Sequence, residues 1–354
     1  MGTFITIISA ILVFGFLIFI HEFGHFITAR IFGVTVNEFA IGMGPKLITY
    51  DSKKSGIQYS LGILPIGGYV AMAGEDGESD DPNSFDKKPA WQRFIITAAG
   101  ATVNILFGFL AMILLVSITV DGNTAVGGFI SENEFSDVEG FEYNRPSSDY
   151  GLKVGDIITH VNGKSVVIYE EFSYEIMRQG NKPVDLTVLR EGKSEVIKGV
   201  LFPQLTQQGQ VFGIPDIKVS RIDKNFFNVF GLSFRRTALV VRMCWESIYD
   251  LITGRYSVGA ISGPVGISGA IGDAVAQGFS SVLEITVLIS INLGFMNLLP
   301  IPALDGGRLI VILVEMITKK RLPRKVEAII NSVGLLILLG LSLIIMVKDV
   351  IQLF

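Results

Sequence analysis

The chain has 354 residues, 49% of them hydrophobic and only 18% charged, with a mean hydropathy of +0.53. That balance excludes an ordinary soluble globular protein and points to a polytopic membrane protein. The formal net charge of −4, without a basic tract apart from the apolar segments, argues against a nucleic-acid partner. The single cysteine, Cys244, excludes a disulfide framework and any multi-cysteine metal site and reads as a packing residue.

About 20 mostly apolar residues are needed to cross the hydrocarbon core. The first such run is Phe4–Ile27. It lacks a basic n-region and an A-x-A-like cleavage site, and it outlasts a signal peptide, so it reads as a spanning helix. Within it lies "FIHEFGHF", residues 19–26. On a helix His21 and His25 are i and i+4, and both imidazoles leave one face a turn apart. Two neutral imidazoles at that spacing can chelate one zinc ion, leaving Glu22 beside it to take a proton from water, the H-E-x-x-H hydrolase arrangement. In a soluble protein a polar patch or coincidence would compete with that reading. Inside a span, ionisable groups are costly and default to function.

Next comes "KLITYDSKKSGIQYSLGILPIGGYVAM", Lys46 to Met72, with short strand-like runs around a Ser-Lys-Lys-Ser-Gly turn. The second span is Phe94–Val120. Lys and Arg crowd the connection between spans one and two (Arg30, Lys46, Lys53, Lys54, Lys87, Lys88, Arg93) and the one between spans three and four (Lys319, Lys320, Arg321, Arg324, Lys325). The positive-inside rule places both connections in the cytoplasm and both termini outside. The stretch from 121 to 280 is then extracytoplasmic.

Part of that stretch reads as a soluble domain. "SDYGLKVGDIITHVNGKSVVIYEEF", Ser148 to Phe172, alternates short apolar runs with Gly-Asp and Asn-Gly turns and then turns helical. It resembles a PDZ domain, a fold that binds extended chain ends by adding a strand to a sheet edge. "VGGFI", Val126 to Ile130, is the best candidate for the binding loop. His160 lies in this domain, across the membrane from His21 in the expected topology, and reads as a surface histidine. The segment from Phe226 to Gly254 is nearly as apolar as a span but carries Arg235, Arg236, Arg242, Glu246 and Asp250, so it reads as an amphipathic interfacial helix.

The third span, Val282–Ile317, is interrupted by prolines, and the fourth is Ile329–Val347. "NLLPIPALDGGRL", residues 297–309, breaks the third. Pro300 and Pro302 stop regular helix there, and Gly306 and Gly307 permit close backbone approach. Broken backbone at membrane depth is tolerated only when buried in protein or lining a wet cavity. Asp305 is the only acid between Glu284 and Glu315. It lies toward the same end of its span as His21 and is the candidate third zinc ligand, with helix N-capping as a compatible second role.

These motifs together resemble the site-2 protease family of intramembrane zinc metalloproteases, with the closest likeness to the bacterial regulator-of-sigma-E protease type carrying one PDZ domain. "HEFGH" matches the first-span motif and "LDG", Leu304–Gly306, the later one. "IGMGPKL", "LPIGGYVAMAGE" and "SGPVGI" look like further family signatures. The family's second-span "AAGPxxN" appears as "AAGATVN", with Ala101 where proline is usual and Asn104 kept.

The resemblance implies an α-helical polytopic membrane protein of four transmembrane helices, with a membrane re-entrant β-hairpin and an inserted extracytoplasmic PDZ-like α+β domain. The expected boundaries are 1–121 for the first two spans with the re-entrant loop and 122–210 for the PDZ-like domain. An amphipathic helix and connection follow at 211–280, then the last two spans at 281–354. The expected activity is zinc-dependent cleavage of single-pass membrane proteins, such as anti-sigma factors or remnant signal peptides, in a bacterial inner membrane near its cytoplasmic face. His21, His25 and Asp305 would hold Zn2+, Glu22 would act as general base, and Asn297, Gly42, Gly44 and Pro300 would help hold the substrate backbone. Expected partners are these substrates, the lipid bilayer and peptide chain ends at the PDZ-like domain. The rival readings are a PDZ scaffold with a vestigial metal site and a zinc-dependent transporter. Neither explains a general base placed between two ligands.

Overall fold

A computed structural model describes residues 3–75, 77, 79–135, 140–143, 145–207, 210–255 and 262–351. The chain divides into two compact units, Met1–Leu115 with Val240–Phe354, and Val116–Leu239. The first opens with α1 (Thr3–Ile31), a hairpin of β1 (Val36–Asp51) and β2 (Gln58–Met72), and α2 (Ala90–Ile118). The second holds β3 (Gly122–Phe129), β4 (Phe141–Glu142), β5 (Ile157–Val161), β6 (Lys164–Ser165) and α3 (Tyr169–Gln179). It continues with β7 (Val184–Arg190), β8 (Lys193–Val200), β9 (Gln204–Gln207), β10 (Gln210–Gly213) and β11 (Ile217–Arg221). Helix α4 (Phe226–Ile252) leads back to the first unit, which ends in α5 (Pro264–Gln277), α6 (Phe279–Leu298), α7 (Asp305–Thr318) and α8 (Arg324–Ile351).

Among the described residues, four helices are long and apolar enough to cross a membrane: Phe4–Ile31, Ala90–Ile118, Phe279–Leu298 and Lys325–Ile351. The 29 residues of α1 span about 43 Å at the helical rise, more than the hydrocarbon thickness. The third passage differs from the single interrupted span expected at 282–317. It is two helices, α6 and α7, because Leu299 leaves helical geometry just before Pro300. The turn between them is dense. A Cβ on Gly306 would collide with the carbonyls of Leu298 and Leu299, and one on Gly307 would lie 2.5 Å from the Ile301 carbonyl oxygen. Only glycine fits there, which explains the Asp-Gly-Gly run. Asp305 is the first residue of α7, with Leu304 at the cap, so the compatible second role as N-cap falls to Leu304 and not to Asp305.

Strands β1 and β2 pair antiparallel with several register shifts. Gly42 and Gly44 take φ of +80° and +86°, where other residues would be strained. The base of the hairpin packs in a core with α1 and α2 through Phe39, Ile57, Val70, Phe85 and Ile96. Farther out, Leu47, Ile48, Ile63 and Leu64 are at least half exposed. Such an apolar surface suits lipid better than water.

In the second unit, β11-β3-β5-β7-β8 form one sheet, with β6 paired to β5, and β10-β9-β4 form a smaller one. Phe172 and Ile176 on α3 are fully buried against Ile158, Leu186 and Val188 of the larger sheet. Truncating Phe172 would cost about 3–5 kcal/mol. β11 lies beyond residue 210, the expected limit of this domain, and pairs with β3 from Ile217↔Phe129 to Arg221↔Gly122. Strand β3 therefore has β11 on one side and β5 on the other, where Ala125 pairs with Ile157 and Val126 exchanges backbone hydrogen bonds with Gly155 and Asp156.

Helix α4 is amphipathic, as its charge pattern suggests. Phe226, Phe227, Phe230, Phe234, Trp245 and Tyr249 are exposed, while Leu239, Val240 and Cys244 are buried. Cys244 is a free, buried thiol, in keeping with packing. The connecting segment also contains a helix that composition did not announce, α5. Proline at its first turn starts it, and the buried Asp349 carboxylate on α8 accepts a hydrogen bond from Gly266 N–H at 3.0 Å.

Candidate metal centre

Helix α1 delivers His21 and His25 one turn apart, with ring centroids 4.9 Å apart. Helix α2 crosses α1 at glycine. A Cβ on Gly24 would lie 2.6 Å from the Ala99 carbonyl oxygen, and one on Gly100 would strike the His25 imidazole. Small residues let the helix backbones approach closely, which seats His25 against α2. His25 Nδ1–H donates to the Ile96 carbonyl oxygen at 2.8 Å. That bond fixes the tautomer, leaving the Nε2 lone pair free to take a metal.

Asp305 Oδ2, from the first turn of α7, lies 3.2 Å from His21 Nε2 and 3.3 Å from His25 Nε2. The two Nε2 atoms are 3.3 Å apart. The three ligand atoms all lie within 4.8 Å of one another, and Asp305 Oδ2 is buried without a hydrogen-bond donor among the described residues. With both imidazoles neutral and protonated on Nδ1, three lone pairs face one another across a space without a proton. That is electrostatically costly unless a cation sits among them. Two nitrogens and one carboxylate oxygen are also a donor set that zinc takes in catalytic sites, with the fourth position open. The residues fit the metal.

Glu22 is half-buried and follows His21 on the helix. Its neighbour is β2: a Cβ on Gly68 would lie 2.9 Å from Glu22 Cγ and 3.0 Å from the Ala40 carbonyl oxygen. The hairpin thus closes over the Glu22 side chain. Sequence reasoning missed Gly68, although a Gly-Gly pair inside a strand is a sign of close backbone approach. It noted Asn104 as a kept family position without assigning it a place at the site. The structure puts the fully buried Asn104 amide nitrogen 3.4 Å from His21 Nδ1.

The other expected residues are less closely tied to the trio. Asn297, one residue from the end of α6, is half-buried, and its side chain makes no hydrogen bond among the described residues. Pro300 is exposed in the turn that follows. The nearest neighbours of Gly42 and Gly44 belong to β2: Gly62, Ile63 and Leu64. His160 is in β5 of the second unit, its Nδ1 3.1 Å from Thr159 Oγ1. An open groove of about 480 Å³ runs between the aromatic side of α1 and the hairpin, lined by Phe19, Phe23, Phe26, Phe39, Ile48 and Tyr59. Behind the site, Arg308 pairs with Glu75, and Arg93 on α2 pairs with Glu315 on α7.

The family model described as "Peptidase family M50" matches residues 9–341. A Clostridium acetobutylicum protein provisionally named a zinc metalloprotease is 35% identical, covering 99% of this chain and 98% of its own length. A Fusobacterium nucleatum protein with the same provisional description is 34% identical over 99% of both chains. The regulator of sigma-W protease RasP of Bacillus subtilis is 26% identical, again over 99% of both.

Proposed function

This chain belongs to peptidase family M50, and from that premise we propose that His21, His25 and Asp305 hold the catalytic zinc while Glu22 serves as general base. The activity itself is that of an intramembrane zinc metalloprotease in a bacterial membrane. The observation that carries the residue assignment is the convergence of three lone-pair atoms within 4.8 Å, on two separate segments of the chain, beside the half-buried Glu22.

Zinc bound there polarises the scissile carbonyl and makes an attacking water easier to deprotonate. The Glu22 carboxylate takes that proton and returns it to the leaving amide nitrogen. Gly68 on the hairpin lies close against the Glu22 side chain and limits where it can go. The fixed Nδ1 of His25 keeps its Nε2 aimed at the metal. Asn297, with its amide unpaired among the described residues, is available to hold the substrate backbone or the developing oxyanion, and the Gly42–Gly44 stretch with Pro300 is proposed to shape the same path.

The substrates are single-pass membrane proteins, which an unwinding hairpin could pair with as an added strand. The groove beside Phe23 and Tyr59 suits apolar substrate side chains. The cytoplasmic placement of the site and external termini rest on the positive loops. The PDZ-like unit acts as a steric gate and not as a receptor for chain ends, because β3, which carries the candidate binding loop, has a strand on each side. A peptide adds to a sheet only where an edge is open.

The test is metal stoichiometry on the purified full chain. Wild type should carry about one zinc, and His21→Ala, His25→Ala and Asp305→Ala should each fall well below that. An Asp305→Ala variant with full zinc would remove Asp305 from the ligand set.

A further inference from the structure

We propose that Asn104 is a positioning residue of the metal centre, whose side-chain oxygen accepts a hydrogen bond from His21 Nδ1–H and thereby presents His21 Nε2 to zinc. The inference rests on the reading of His21, His25 and Asp305 as the ligands.

Asn104 sits on α2, two turns beyond Ile96, and is completely buried. Its backbone is anchored: Ser290 Oγ on α6, also completely buried, donates to the Asn104 carbonyl oxygen at 2.8 Å. Its side chain has few options. The amide nitrogen stands 3.4 Å from His21 Nδ1, and Oδ1 is buried without a hydrogen-bond partner among the described residues. An unpaired buried carbonyl oxygen costs about 1–3 kcal/mol.

The orientation of the amide is coupled to the tautomer of His21. While the amide nitrogen donates to Nδ1, the imidazole proton must be on Nε2, and His21 cannot bind metal through Nε2. Once Nε2 ligates zinc, Nδ1 carries the proton, and an amide N–H beside it would set donor against donor. A half-turn about the Cβ–Cγ bond, a broad two-fold torsion, exchanges nitrogen for oxygen. The unpaired Oδ1 then accepts from His21 Nδ1–H. His25 already shows the matching arrangement with the Ile96 carbonyl, so α2 would hold both imidazoles, one through its backbone and one through Asn104. A partner on the far ring nitrogen fixes the ligand's tautomer and raises its basicity, and losing one lowers metal affinity by about 10–100-fold.

The experiment measures zinc affinity of the purified full chain by competition with a chromophoric chelator, and the d–d absorption after cobalt substitution. Asn104→Leu keeps volume but has no acceptor. It should bind zinc about 10–100-fold more weakly and shift the cobalt band. Asn104→Asp accepts and cannot donate, and should bind as tightly as wild type or tighter. Wild-type affinity in Asn104→Leu overturns the proposal, and so does weak binding in Asn104→Asp, which would make Asn104 a donor. If Asn104→Leu does not fold, Asn104→Asp against wild type decides alone. Zinc binding that survives His21→Ala would instead refute the ligand assignment.

Discussion

Gly68→Ala should slow cleavage without displacing the metal. The added Cβ would lie 2.9 Å from Glu22 Cγ, 3.0 Å from the Ala40 carbonyl oxygen and 3.3 Å from Ile18 Cγ2. Carbon atoms pack at about 3.5–4.0 Å, so the Glu22 contact is short by roughly 0.6–1 Å. Ala40 cannot yield, since it pairs with β2. Gly68 does not have a positive φ, so alanine introduces no backbone strain of its own. The Glu22 side chain must therefore swing aside, and a misplacement of about 1 Å costs on the order of 100-fold in rate. The assay is cleavage of a single-pass reporter in proteoliposomes, with zinc measured on the same preparation. Turnover should fall about 100-fold with zinc near one per chain. Gly15→Ala, on the same helix with nothing near its added Cβ, should match wild type. Wild-type turnover in Gly68→Ala would refute the idea that the hairpin positions Glu22.

Two other predictions concern the second unit. Burial would raise the Asp156 carboxyl, but Arg190, at 2.7 Å, and the Lys153 N–H hold it below the usual carboxylate range. The pair therefore adds stability above about pH 4 that is lost as pH falls through the lowered value. Arg190→Met should destabilise this unit by about 3 kcal/mol at neutral pH, read as faster hydrogen exchange in β5 and β7 of the full chain. The gap should shrink toward pH 3, and a gap that ignores pH would contradict the ion-pair account. Replacing residues 122–221 by a short linker should let the enzyme cut substrates whose outer domains are intact. Loss of cleavage of pre-trimmed substrates, with zinc retained, would make the unit a receptor and not a gate.

The proposed ligands were legible as candidates: His21 and His25 share a face whatever surrounds them, because helical spacing is local. Asp305 was legible through the cost of an acid and broken backbone at membrane depth. Those arguments could not find Gly68 or the partner of His21, because each depends on which element crosses α1 and at what height. Asn104 is 83 residues from His21, and its neighbour is set by the close crossing at Gly24 and Gly100. The break in the run 282–317 was legible from Pro300 and Pro302, but composition alone did not say that it leaves two separate helices, α6 and α7. The pairing of β11 with β3 was equally hidden, since a five-residue strand, Ile-Lys-Val-Ser-Arg, is too short to carry much signal or to name its partner.

The most direct test of the central claim is Glu22→Gln in the full chain, reconstituted with a single-pass substrate. The variant keeps both imidazoles and Asp305 but cannot take a proton. It should retain about one zinc per chain while cleavage falls by about 10²–10⁴-fold, the usual contribution of a general acid–base. Cleavage at the wild-type rate with zinc in place would contradict the assignment of Glu22 and the mechanism built on it.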